Sequence, residues 1–174
     1  MGHPSRRGEP AGIEAELGRH RRVHHIVPPA TLEGGDVVRL GRRLPVGRSG
    51  RSNAQGMEQL QAIARDYQVI PVGVRGCLHL KSACTALPDG SLLVNRDRLD
   101  VGALAKIPLV DVDAAEPEGS NVVSLGNRVI ISAAYPRTAA LLGHRGFEVH
   151  PVEVSEFAKV EGCVSCMSLL IEVQ

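Results

Sequence analysis

Apolar residues along this chain come in short runs, and the runs recur in the same order three times. Residues 37–40 and 44–46 are apolar stretches on either side of Gly41-Arg42-Arg43, the pattern of a hairpin. Asn53 then offers a helix N-cap, and Met57, Leu60, Ala64 and Tyr67 fall three or four residues apart along one helical face. A strand over residues 69–74 closes this unit. The second unit pairs residues 82–87 with 91–95 across Pro88-Asp89-Gly90, passes through a short helix over 97–105 and closes with a strand over 107–112. The third pairs 121–125 with 128–132 across Gly126-Asn127. Its helix has Pro136 at the first position and Gly146 as the C′ stop, and its closing strand spans 147–152.

Ahead of these units stands half of one: a helix over residues 7–19 with Ser5 as its cap, and a strand over 23–27. After them come a loop over 155–168 and a last strand over 169–173. Units of about 40 residues that each expose an apolar face must stack or close into a ring to bury it.

The 174 residues fit one domain, spanning 1–174. No apolar stretch approaches the ~18 residues of a membrane helix, and the opening MGHPSRRGEP lacks the apolar centre of a secretion signal. We therefore expect a cytoplasmic location and no membrane partner. A net charge of +1 leaves no uniform field for a phosphate backbone. With Tyr67, Tyr135, Phe147 and Phe157 as the only aromatics, no base-stacking platform can be assembled, so nucleic acid is not an expected partner.

The cysteines argue against a metal and against a disulfide framework. Cys77 and Cys84 are too far apart for a usual zinc knuckle with Cys163 and Cys166. A redox reading of Cys163-Val164-Ser165-Cys166 needs a helix starting at the second cysteine, whereas the residues that follow read as a strand. Cys77, Cys84 and Cys163 read as small hydrophobes, and so would Cys166 on composition alone. Among seven histidines, His79 stands out, because a polar ring between Leu78 and Leu80 at the junction of two apolar segments needs a reason.

Five segments carry a more specific signal: Thr31-Leu32-Glu33-Gly34-Gly35-Asp36-Val37, Gly47-Arg48-Ser49-Gly50-Arg51-Ser52-Asn53, Leu78-His79-Leu80-Lys81-Ser82, Ala134-Tyr135-Pro136-Arg137-Thr138 and Gly162-Cys163-Val164-Ser165-Cys166-Met167-Ser168. In order and spacing the series resembles the dimethylarginine dimethylaminohydrolases, relatives of arginine deiminases and amidinotransferases. The resemblance implies an α/β pentein fold, a propeller-like barrel of five ββαβ units around a substrate channel, with about three and a half units present here. It also implies that the family carries a further stretch ahead of the first helix, including an acidic strand that grips the guanidinium. On that expectation the chain is N-terminally truncated relative to the family, and the open edges of an unclosed ring would promote homo-oligomers.

The chemistry that the resemblance implies is hydrolysis of methylated arginine to citrulline and an alkylamine through a covalent thiouronium, without cofactor or metal. Cys166 matches the family nucleophile, a thiolate being the side chain suited to an electron-rich, resonance-stabilised carbon. His79 matches the proton-transfer histidine, and Glu33 the guanidinium ligand, followed by two glycines that permit close backbone approach. Arg6 and Arg51 match positions for the substrate carboxylate, which a guanidinium grips bidentately. Asp36 is either a buried acceptor or a group that orients Arg51 or His79. Arginine deiminases resemble His-x-Asp where this chain has His79-Leu80-Lys81, which favours a methylated substrate. Two alternatives stay open: hydrolysis of another guanidino compound, and an inactive remnant that only binds or associates.

Overall fold

A computed structural model describes residues 8–170. Helix α1 (Glu9–Leu17) starts from Gly8 without a side-chain cap. The expected cap Ser5 and the expected ligand Arg6 lie outside the described residues. Residues 23–27, expected as a strand, form none. The side-chain amide of Gln59 occupies Val27 instead: its oxygen accepts the Val27 N–H at 2.9 Å and its nitrogen donates to the Val27 carbonyl at 3.0 Å. A side chain thus does locally what a partner strand would do.

The three repeated units occur in the expected order, with departures in the first unit's hairpin and the second unit's helix. In the first, β1 (Arg43–Arg48) pairs in parallel with β2 (Gln68–Gly73). The hairpin arm over 37–40 is held only by isolated bridges, Val37 to Val46 and Leu40 to Arg43. Val38 N–H donates to the Pro45 carbonyl at 3.0 Å, but proline has no N–H to return, so the ladder stops there. Gly41 makes the turn at φ +57°, a conformation that costs glycine little. Asn53 caps α2 (Ala54–Ile63) by accepting the Gly56 N–H at 2.9 Å. Met57, Leu60, Ala64 and Tyr67 pack on Leu44 and Val46.

In the second unit, β3 (Cys84–Ala86) runs antiparallel to β4 (Leu92–Val94), which pairs in parallel with β5 (Leu109–Asp111). The helix expected over 97–105 is instead two 3-10 turns, Arg96–Arg98 and Val101–Leu104. Asn95 and Asp100 each accept an N–H two residues on, which restarts the chain at both points. Between the turns Leu99 drops into the core. In the third unit, β6 (Val122–Leu125) and β7 (Arg128–Ser132) are antiparallel. α3 (Pro136–His144) follows, and β8 (Glu148–Val152) returns parallel to β7. A short helix, α4 (Ser155–Ala158), lies in the segment read as loop. Leu169 and Leu170 are not in a strand, and the rest of the expected last strand is outside the described residues.

Each unit has its own small sheet, and among the described residues the three sheets do not close into a barrel. Side chains join neighbouring units. Thr85 Oγ1 donates to the Ser120 carbonyl and accepts the Val122 N–H, while Ser124 Oγ donates to the Ala86 carbonyl at 2.8 Å. No described helix is long and apolar enough to cross a membrane.

Candidate active site

The site grows from the segments that precede and join these units. Glu33 is extended, just ahead of the 3-10 turn Gly34–Asp36. His79 is likewise extended ahead of the turn Leu80–Ser82, in a loop and not between strands. Their side chains meet, with His79 Nε2 at 2.7 Å from Glu33 Oε2 and each side chain only about a fifth exposed. Burial works against ionisation of Glu33, but the hydrogen bond and charge of His79, together with the nearby Arg51 guanidinium, outweigh it and hold the carboxyl below its ordinary value. An ionised carboxylate only accepts, so in this pair Nε2 carries the hydrogen.

Gly35 makes room for the ring: a Cβ there would lie 2.6 Å from His79 Cγ. Of the two glycines after Glu33 it alone serves close approach, since a Cβ on Gly34 would meet nothing within 4 Å. The Gly34 carbonyl instead accepts Lys81 Nζ at 2.9 Å. Burial pushes the Lys81 ammonium pKa down.

Asp36 lies behind the pair, fully buried. Its Oδ2 accepts the hydroxyls of Ser49 at 2.6 Å and Ser52 at 2.7 Å, and its Oδ1 accepts the Leu80 N–H at 2.9 Å. Ser52 Oγ in turn accepts the Glu33 N–H, and Ser49 Oγ the Arg51 N–H, each at 3.0 Å. One carboxylate therefore fixes the backbone at Glu33, at Arg51 and beside His79. Fully buried, Asp36 serves here as an acceptor for two hydroxyls and one backbone N–H. A Cβ at Gly47 would sit 2.6 Å from Asp36 Oδ1, so glycine is what admits the carboxylate.

Cys166 is exposed on a turn after α4. Its thiol donates to the Cys163 carbonyl at 3.0 Å and its sulfur accepts the Cys163 N–H, also at 3.0 Å. Val164 anchors the turn among Val123 and Val154. The other thiols suit inert packing. Burial lifts Cys84 to about 12 and raises Cys77, and burial together with the Cys166 sulfur raises Cys163. His20 and His25 sit on the surface near Glu16 and Glu14, and His150 bonds Glu148 on an exposed face of β8. Among the described residues no cluster of three or more His, Cys, Asp or Glu could hold a metal ion.

Sequence reasoning missed Ser49, Ser52 and Asn121. The two serines stand inside the segment that carries Arg51, where their only signal was membership of that segment. Asn121 was read simply as the start of a strand.

No family model matches the chain. It is 41% identical over 180 residues to an N(G),N(G)-dimethylarginine dimethylaminohydrolase of Streptomyces coelicolor, covering 97% of this chain and 66% of that protein. A protein of the same name from Pseudomonas aeruginosa is 34% identical, with coverage of 97% and 68%. The chain thus spans about two thirds of the length of these curated relatives. Among solved structures, a Cys-to-Ser variant of the Pseudomonas aeruginosa protein complexed with citrulline matches with a TM-score of 0.88 and 31% identity, over 95% of this chain and 67% of that one. The N-terminal domain of a cyanobacterial arginine dihydrolase, 22% identical, shares the fold with a TM-score of 0.87.

Proposed function

Because the chain belongs to the dimethylarginine dimethylaminohydrolase family and has its pentein fold, we propose that its site hydrolyses methylated arginine to citrulline and an alkylamine. The observation that carries this reading is the Glu33–His79 pair, standing beside Arg51 and bound through Asn121 to the turn that presents Cys166.

Transfer of the Cys166 proton to His79 produces the thiolate and the acid together. The sulfur adds to the guanidinium carbon. His79 protonates the methylated nitrogen as its C–N bond breaks, leaving a thiouronium on Cys166. Water then attacks with its proton passing to His79, the C–S bond breaks and citrulline leaves. Through both steps Glu33 keeps the imidazole oriented and balances its positive form, and its negative charge favours the cationic substrate. Arg51 suits the carboxylate at the other end of the substrate; Arg6 is assigned the same task by the sequence match alone. The cationic Lys81 stands where a deiminase-like site would need a carboxylate for two unsubstituted nitrogens, which favours the methylated substrate.

The test is citrulline and amine release from dimethylarginine, monomethylarginine and arginine side by side, with the 174-residue chain and with a chain extended to the length of its relatives. Dimethylamine or methylamine should exceed ammonia. A clear preference for plain arginine overturns the assignment.

A further inference from the structure

Asn121 is buried, immediately before β6, at the edge where the second and third units meet. Its side-chain amide uses both ends. Nδ2 donates to the Lys81 carbonyl at 2.8 Å and to Ser165 Oγ at 2.7 Å, and Oδ1 accepts the Ser165 N–H at 3.1 Å. One planar group thus joins the turn that follows His79 to the residue that precedes Cys166. The same turn is held from its other side by Asp36, which accepts the Leu80 N–H. Consecutive residues after His79 are therefore gripped from two different units, at Leu80 by the first and at Lys81 by the third.

On the reading that Cys166 is the nucleophile and His79 its proton partner, we infer that Asn121 is a positioning residue that sets the Cys166 turn in register with His79. A buried asparagine at a seam also contributes to stability by filling three hydrogen bonds. Stability alone does not require two of those bonds to converge on Ser165. They fix both the backbone and the side chain of the residue next to the nucleophile, in a segment whose apolar anchor is Val164. His79 and Cys166 come from different units and share no backbone ladder, so their alignment depends on side-chain bridges of this kind. Displacing a reacting group by about 1 Å can cost ~100-fold in rate.

The experiment is a double-mutant cycle on the protein, read by two measurements. Asn121→Asp keeps an acceptor for the Ser165 N–H but, when ionised, cannot donate to the Lys81 carbonyl. Asn121→Ala removes all three bonds. Citrulline formation gives kcat and KM, and alkylation of Cys166 by iodoacetamide across a pH series reads the thiol without any guanidino substrate. We expect both variants to lose ~10–100-fold in kcat with KM changed by less than about threefold. The pH profile of alkylation should move toward that of His79→Ala, and Asn121→Asp should add little in a His79→Ala background. Unchanged kcat per folded molecule, or an alkylation effect fully additive with His79→Ala, overturns the inference. If Asn121→Ala does not fold, Asn121→Asp and Ser165→Ala, which removes only one of the three Asn121 bonds, give the same reading. A parent protein that makes no citrulline refutes the substrate assignment, while the alkylation cycle still decides the role of Asn121.

Discussion

His79 and Glu33, 46 residues apart in the chain, meet at 2.7 Å through Nε2 and Oε2. Ser52 anchors the backbone of Glu33 through its N–H, and the His79 ring lies against the bare Cα of Gly35. Glu33→Gln keeps the shape and removes the negative charge that faces the His79 ring and favours a cationic substrate, so kcat should fall by ~100-fold or more. Steady-state kinetics and near-native melting together check this.

The lowered pKa of Glu33 also has a consequence for stability. Ionised Glu33 contributes stability that is complete above its unfolded value, about 4.3, and is lost as pH falls through the lower folded value. Glu33→Gln should therefore flatten the acid limb of a melting-temperature profile below about pH 5 and leave its neutral region less affected. An unaltered acid limb would show that the carboxylate is not stabilised as its surroundings indicate.

Gly35 and Gly34 form a paired test of the ring's seat. A methyl at Gly35 would collide with His79 Cγ at 2.6 Å, whereas one at Gly34 meets nothing within 4 Å. Gly35→Ala should lose roughly 100-fold in kcat by displacing the imidazole, and Gly34→Ala should stay within about threefold of the parent. Equal effects would remove the steric account.

Asp36 should prove more important to folding than any other acid of the site. Asp36→Ala leaves the Leu80 N–H and two hydroxyls without their buried acceptor, and each unmet partner costs ~1–3 kcal/mol. Urea unfolding should register a loss of at least ~3 kcal/mol, with Asp36→Asn milder because an amide oxygen still accepts. A loss below about 1 kcal/mol for Asp36→Ala would mean that water replaces the carboxylate.

Thiol chemistry should separate the four cysteines. Exposed Cys166 should take a single halo-amidine adduct, while Cys84, buried and lifted to about 12, should stay unmodified in the native protein at pH 8. Cys166→Ser should abolish the adduct. Mass spectrometry that places the adduct on Cys163 would overturn the assignment of Cys166 as nucleophile.

Much of this protein is written in short-range pattern. The Asn53 cap, the Pro136 start and the glycines at 41, 90, 126 and 146 are decided by residues no more than a few positions away, so the three repeated units could be read directly from their spacing. The five segments likewise carry the resemblance from which Glu33, His79 and Cys166 are expected in the site. Local pattern failed where a segment's partner, and not its own sequence, chose the conformation. Residues 23–27 have strand composition, yet Val27 is satisfied by a glutamine from α2; residues 97–105 have helical composition, yet capping by Asn95 and Asp100 splits them into two turns. The same limit applies to the site. Which hydroxyls converge on Asp36, and that Asn121 spans from Lys81 to Ser165, depend on which unit lies beside which, because a hydrogen bond between distant segments leaves no periodic trace in either of them.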